Sequence, residues 1–277
     1  VLTGAIAAAV TPLTDGGEHL DEVAFAPLVR FLADGGLDGI LACGTTGEGM
    51  LLTVAERERA VELFIQGRPA GFAVAVHAGA QTTRDTVRLA THARDGGADA
   101  VAVIAPPYFI LDDDELFAHF ATAAEACAPL PFYIYEFAAR SGYAVPIPVV
   151  ERLREAAPNL AGLKVSDTPF DRVRPYLLEG LDVFVGSEPL TREAMERGAA
   201  GAVSGLASAW PEVVASLVHD RSPQAHVRVT QLRETLDGMP LQAAVKHVLG
   251  ARGVPVTPDV RRPLRPLHRS ETDRLVP

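Results

Sequence analysis

A chain of 277 residues with 48% hydrophobic content can fill one large core or two ordinary ones, and a net charge of −10 argues against a nucleic-acid surface, which wants clustered Lys and Arg. Two cysteines, Cys43 and Cys127, are too few and too isolated for a disulfide framework or a zinc site, so a reducing cytoplasm is the expected setting. No charged-then-apolar leader opens the chain, and no apolar run reaches the roughly 18 residues a bilayer crossing needs, so no membrane partner is expected.

In chain order, short apolar runs alternate with helix-like stretches. The strand candidates are 4–10, 39–42, 73–77, 100–104, 132–135, 160–164, 182–185 and 201–203. Between them, stretches such as "TVAERERAVELFIQ" and "TTRDTVRLATHARDGG" carry apolar residues at helical spacing with charged residues on the other face. "TVAERE" and "TTRD" read as capped helix starts, the "DDDE" run at 112–115 opens a helix, and Gly35–Gly36 and Gly96–Gly97 end helices. Two more helices follow, over 224–236 and 241–250. The basic cluster "RRPLRPLHR" at 261–269 reads as a solvated tail or a subunit contact.

Eight strand–helix cycles without a linker predict an α/β fold, a closed TIM (β/α)8 barrel with additional C-terminal helices. The expected layout is a single domain over 1–277. Residues 1–210 form the barrel core, and residues 211–277 form the last barrel helix and a helical extension. A doubly wound open sheet would want a Gly-rich dinucleotide loop after the first strand, whereas that strand runs into "AVTPL".

Barrel chemistry gathers at the C-terminal ends of the strands. Those ends carry "CGTTGEG" (43–49), "APPYF" (105–109), "YIYEFAARSG" (133–142), Lys164, "GSE" (Gly186 to Glu188) and "VSG" (203–205). Lysine is scarce: of 25 Lys and Arg residues only Lys164 and Lys246 are lysines. A lysine desolvated between strands has its pKa lowered from about 10.4. Its neutral amine can condense with a ketone to a Schiff base, a task guanidinium cannot perform. The alternative is a rim lysine whose ammonium reaches water. Lys246 lies inside a C-terminal helix and reads as a solvated or packing residue. "GTTGE" can gather backbone N–H groups and hydroxyls round a carboxylate, and it lacks the Lys of a nucleotide loop. Tyr135, beside the lysine strand, can shuttle a proton with Thr45 as partner, or simply pack the barrel top. Eight scattered histidines show no metal-ligand spacing, and His77 reads as a hydrogen-bonded core residue.

These motifs, with "GAIAAAVTPL", "GLKVSD", "FVGSE", "GAAGAVSGLASAWPE" and "PLQAAVKHVLG", resemble the dihydrodipicolinate synthase/N-acetylneuraminate lyase family of pyruvate-dependent class I aldolases over almost the full length. The resemblance implies a Schiff base between Lys164 and pyruvate or another 2-keto acid, with Tyr135 as the acid/base shuttle. Thr45 and Thr46 would hold the carboxylate and join the relay, and the Val203 carbonyl and Gly186 would line the pocket. It implies a homo-oligomer, tetramer or dimer; no cofactor is expected, and the ligand count disfavours a metal-dependent class II aldolase.

Departures from the family pattern bear on the substrate. A second tyrosine expected after the fourth strand is Phe109, and the Tyr-Asn-x-Pro-x-Arg-Thr pattern appears as Tyr135-Glu136-Phe137-Ala138-Ala139-Arg140-Ser141. In the synthases the arginine grips an aldehyde's carboxylate; here Glu136 stands close enough in sequence to pair with Arg140. Of two acids expected after the seventh strand only Glu188 is present, followed by Pro189. The expected function is an aldolase or dehydratase acting on a 2-keto-3-deoxy sugar acid or related keto acid, with Glu136 and Glu188 reading substrate. A 4-hydroxy-tetrahydrodipicolinate synthase and a non-catalytic keto-acid sensor are the alternatives.

Overall fold

The computed structural model describes residues 2–275. Eight strands, β1 (Gly4–Ala8), β2 (Gly39–Ala42), β3 (Ala73–His77), β4 (Ala100–Ile104), β5 (Phe132–Glu136), β6 (Leu160–Val165), β7 (Asp182–Val185) and β8 (Gly201–Ser204), pair in parallel in sequence order, and β1 closes the ring by pairing with both β2 and β8. The expected barrel is the observed one. Strand limits move by one or two residues: β1 stops at Ala8, whereas β5 and β6 each run one residue further because Glu136 and Val165 still pair.

Each strand is buried on both faces, and alternation divides its side chains between two cores. On β1, Ile6 and Ala8 join the cluster inside the ring with Leu41, Ala75, Ala100, Ala102, Tyr133, Phe184 and Val203. Ala5 and Ala7 join the larger cluster between strands and helices. Small alanines leave interior space that two rings fill: Tyr133 and Phe184 meet edge to face at 5.9 Å, and the Leu2 amide donates to the Tyr133 hydroxyl at 3.0 Å.

The outer helices are α1 (Phe25–Asp34), α2 (Val54–Gly67), α3 (Thr83–Asp95), α4 (Asp113–Cys127), α5 (Ile147–Ala156), α6 (Phe170–Val173), α7 (Glu188–Glu196) and α8 (Pro211–His219). Capping follows the sequence. Thr53 with Glu56 and Asp112 with Glu115 form capping boxes, and Thr82 accepts the Asp85 amide. The sixth crossover is the short one, α6 and a 3-10 turn over Arg174–Tyr176, with Pro169 just before the helix and Pro175 inside the turn. Two longer helices, α9 (Pro223–Leu236) and α10 (Leu241–Ala251), lie after the barrel, and a single helical turn over Arg269–Thr272 follows. Among the described residues no helix is long and apolar enough to cross a membrane.

Two expectations about basic residues change. Lys246, on α10, is neither solvated nor a mere packing residue: it is fully buried, and its Nζ donates to Glu48 Oε1 and to the Asp259 carbonyl, both at 2.6 Å. Glu48 Oε2 accepts the Arg261 amide at 2.6 Å. Arg261, at the head of the terminal basic cluster, pairs with Glu56 at 2.6 Å instead of trailing into solvent. The extension is thereby tied to the turn after β2.

Removing one partner of a buried ion pair leaves an uncompensated charge. Lys246→Met is therefore expected to lower unfolding stability by about 3–5 kcal/mol, measured as a fall in denaturant midpoint at unchanged slope.

Candidate active site

The ends of β1, β2, β5, β6, β7 and β8 open onto one cleft of about 630 Å3. Seven of the expected residues line it: Thr45, Thr46, Tyr135, Arg140, Lys164, Gly186 and Val203. The central pair is placed by the ladder itself, since Tyr135 and Lys164 are register partners on β5 and β6. Lys164 is buried, 5% exposed, with Nζ 3.7 Å from the centroid of the Tyr135 ring. The Tyr135 hydroxyl lies 3.0 Å from Thr45 Oγ1, either of which can donate. Burial alone would push the Tyr135 phenol up. The Lys164 charge, together with the polar side chains of Lys164, Thr45 and Ser166 about the hydroxyl, outweighs it and holds the phenol below its ordinary value.

The threonines are presented by a tight turn after β2. Cys43 and Glu48 take left-handed φ values of 55° and 59°, and a Cβ on Gly49 would lie 1.8 Å from the Cys43 carbonyl oxygen. The Thr11 hydroxyl donates to the Gly47 carbonyl at 2.6 Å, and Gln242 of α10 donates to the Thr45 carbonyl at 3.2 Å. Across the cleft, a Cβ on Gly186 would fall 2.0 Å from Ser166 Oγ, so this position stays bare. His77 packs edge to face on Tyr135 at 5.6 Å with Nδ1 3.1 Å from the Cys43 carbonyl. Burial, then the Arg57 charge, pushes its imidazole down to about 3, so it is neutral and structural. Among the described residues no group of three His, Cys, Asp or Glu is placed to hold a metal ion.

Both expected substrate-reading acids are corrected. Glu136 is 1% exposed and does not line the cleft; its Oε2 accepts the Val145 amide at 2.9 Å. Strand alternation explains this, because Tyr135 faces the mouth and the next side chain must face away. Arg140 therefore does not pair with Glu136. It has no carboxylate partner among the described residues and lies in the cleft wall with its guanidinium 5.6 Å from the Phe137 ring centroid. Glu188 is also 1% exposed and absent from the cleft wall. Its Oε1 accepts from Ser204 Oγ at 2.6 Å and the Leu206 amide at 3.1 Å, while Oε2 accepts Arg233 Nε at 2.6 Å.

Arg233 is the residue that sequence reasoning missed. It stands on α9 among several polar residues with nothing to mark it, and Glu188 holds it at the cleft. The wall thus contains Arg140, Lys164 and Arg233 and no Asp or Glu. Phe109 lies outside it, 71% exposed beside Tyr108 on the β4–α4 loop.

A structural Glu188 makes a definite demand. Glu188→Ala leaves buried donors unpaired and is expected to cost about 3–5 kcal/mol of stability. Thermal and denaturant unfolding would show that loss, whereas a purely substrate-reading acid would change KM and leave unfolding intact.

Comparison with known proteins follows this geometry. A model described as "Dihydrodipicolinate synthetase family" matches residues 1–276. The 4-hydroxy-tetrahydrodipicolinate synthase of Methanopyrus kandleri is 29% identical over 290 residues, covering 99% of this chain and 96% of the relative. The crystal structure of dihydrodipicolinate synthase from Aquifex aeolicus superposes with a TM-score of 0.92 at 27% identity, over 99% of this chain and 96% of that one. The N-acetylneuraminate lyase of Proteus mirabilis gives a TM-score of 0.90 at 26% identity, again over 99% and 96%.

Proposed function

The chain belongs to the dihydrodipicolinate synthetase family and is a carbon–carbon lyase, and from that premise we propose that Lys164 forms a Schiff base with a 2-keto acid. One observation carries this reading: the Lys164 Nζ lies 3.7 Å from the Tyr135 ring centroid, and that phenol reaches Thr45 at 3.0 Å, all at the head of one cleft.

The amine of Lys164 attacks the C2 carbonyl, giving a carbinolamine. Tyr135 gives its proton to the departing hydroxyl, which leaves as water, and the C=N bond forms. The protonated imine draws electrons from the neighbouring C3–C4 bond. As that bond breaks, the C4 hydroxyl loses its proton to the Tyr135–Thr45 relay and leaves as an aldehyde. The enamine is reprotonated at C3, and water releases pyruvate and the free lysine. Run in reverse, the same steps form the bond. Thr45 and Thr46 present hydroxyls and backbone N–H groups to the C1 carboxylate.

With both glutamates outside the cleft, no acid is left there to read sugar hydroxyls. Arg140 and Arg233 instead favour a substrate whose far end is also anionic: a keto sugar acid ending in a carboxylate, or an aldehyde acid as condensation partner. The second choice is the 4-hydroxy-tetrahydrodipicolinate synthase reading; the unpaired Arg140 supports it, and Phe109 in place of a second tyrosine counts against it. Tyr108, Phe109 and Ile110, 86%, 71% and 76% exposed side by side, support a homo-oligomer. The buried free thiols Cys43 and Cys127 suit a reducing cytoplasm.

Borohydride treatment with pyruvate is expected to fix a stable adduct on Lys164, read by intact mass, and Lys164→Arg is expected to abolish it while the protein stays folded. An adduct elsewhere, or none, sinks the reading. Tyr135→Phe is expected to lower kcat by about 10^2–10^4-fold, the usual worth of a positioned acid/base group. Trapping without turnover of any acid from a panel would favour the sensor alternative.

A further inference from the structure

Glu136 and Asp167 are two buried carboxyl groups, 1% and 4% exposed, near enough for each to act on the other, and both bond the segment that carries Arg140. Between them they hold both ends of the segment that carries it. At the near end, Asp167 Oδ2 accepts the Ala138 amide at 3.1 Å. At the far end, Glu136 Oε2 accepts the Val145 amide at 2.9 Å, and the Tyr176 hydroxyl donates to the Val145 carbonyl at 2.8 Å. Inside the segment, the chain makes one helical turn (Ala138–Ser141) and reverses at Gly142, φ 93°.

The remaining oxygen, Glu136 Oε1, is buried with no donor among the described residues. A carboxylate oxygen left bare in such a place is costly, and the more so beside a second carboxylate. The cost disappears if Oε1 itself carries a proton and presents it to Asp167. We propose that Glu136 and Asp167 share a single proton, and that this shared proton keeps the segment 138–145, and therefore Arg140, in place at the cleft. Glu136 is then a positioning residue acting through Arg140. The functional consequence rests on the reading above, in which Arg140 meets the substrate's far end.

The titratable groups facing the pair are Tyr176, from the turn after α6, whose single hydroxyl proton goes to the Val145 carbonyl, and Tyr143, from the segment itself; burial, and for Tyr176 the two carboxyl groups as well, pushes both phenols up, so neither supplies a proton near neutrality. Burial first, and then Asp167, pushes the Glu136 carboxyl up to about 8 against the pull of the Val145 amide. The sign follows. A carboxyl with a raised pKa in the folded state stabilises the closed segment fully at low pH. That stabilisation is lost as pH rises from the ordinary carboxylate range through about 8. Above it, two buried negative charges repel, and the segment they both anchor is the part that can yield.

The test compares wild type, Glu136→Gln and Arg140→Ala at about pH 6.5 and about pH 9, either side of the expected titration. Amide hydrogen exchange over residues 137–146, corrected for intrinsic rates, reports the segment without any ligand. Borohydride trapping titrated with pyruvate and with 2-oxoglutarate reports keto acids without and with a distal carboxylate. In wild type, protection is expected to fall at high pH, and half-saturating 2-oxoglutarate to rise about tenfold relative to pyruvate, one pH unit past a single titration. Glutamine can donate to Asp167 and accept from Val145 at every pH, so Glu136→Gln is expected to flatten both responses. Arg140→Ala is expected to keep the exchange response and lose the keto-acid response. Equal wild-type protection at both pH values, or a response that survives in Glu136→Gln, overturns the proposal. If that variant does not fold, Asp167→Asn must flatten the exchange response in its place. An exchange response with an unchanged keto-acid ratio overturns the link to Arg140. Failure of all trapping would sink the Schiff-base reading, while the exchange measurement still decides the shared proton.

Discussion

The site depends on one rung of the barrel, the pairing of Tyr135 with Lys164 between adjacent parallel strands. Because the ladder is continuous there, amine and phenol are held by main-chain hydrogen bonds rather than by mobile loops. A slip of one residue on β5 would turn Glu136 to the mouth and Tyr135 to the helices, since side chains alternate in direction along a strand. That slip is opposed by the whole interior, where Tyr133 and Phe184 fill the space that Ala75, Ala100 and Ala102 leave. The same alternation that makes the core therefore also fixes the chemistry.

Much of this was legible in the residues. Apolar runs bounded by glycine pairs and capping boxes marked the strands and helices to within a residue or two. The inward set at the strand ends was legible as well, because Thr45, Lys164 and Val203 sit where a barrel puts its working groups. What sequence order could not supply was direction. Glu136 and Arg140 are neighbours in sequence, yet one faces the helices and the other the cleft. Alternation along β5 turns Glu136 away from Tyr135, and the helical turn over Ala138–Ser141 then brings Arg140 to the cleft wall. Glu188 was misread for a different reason. Its partners, Ser204, the Leu206 amide and Arg233, come from positions 16 to 45 residues away, and no local pattern announces them. Arg233 was invisible for the same cause.

The two misread carboxylates and Glu48 share a physical habit. Glu136 ends a barrel strand while Glu48 and Glu188 stand in the turns that follow one, each is almost wholly enclosed, and each fixes a neighbouring piece of backbone or side chain. Glu48 and Glu188 take their cations from α10 and α9, outside the ring of eight strands. The C-terminal helices are thus fastened to the rim where the cleft opens, and Gln242 adds a direct hold on the Thr45 carbonyl. In this molecule the helical extension builds one wall of the cleft.

The near-absence of lysine has a consequence at the other extreme of scale. One of the two side-chain ammonium groups is sealed under Glu48 and the other is 5% exposed at the head of the cleft, so no lysine stands on the outer surface. Acylating reagents, carbonyl tags and other electrophiles that seek side-chain amines find no foothold on that exterior. To reagents aimed at side-chain amines the protein presents a single narrow doorway, and the doorway is the site itself.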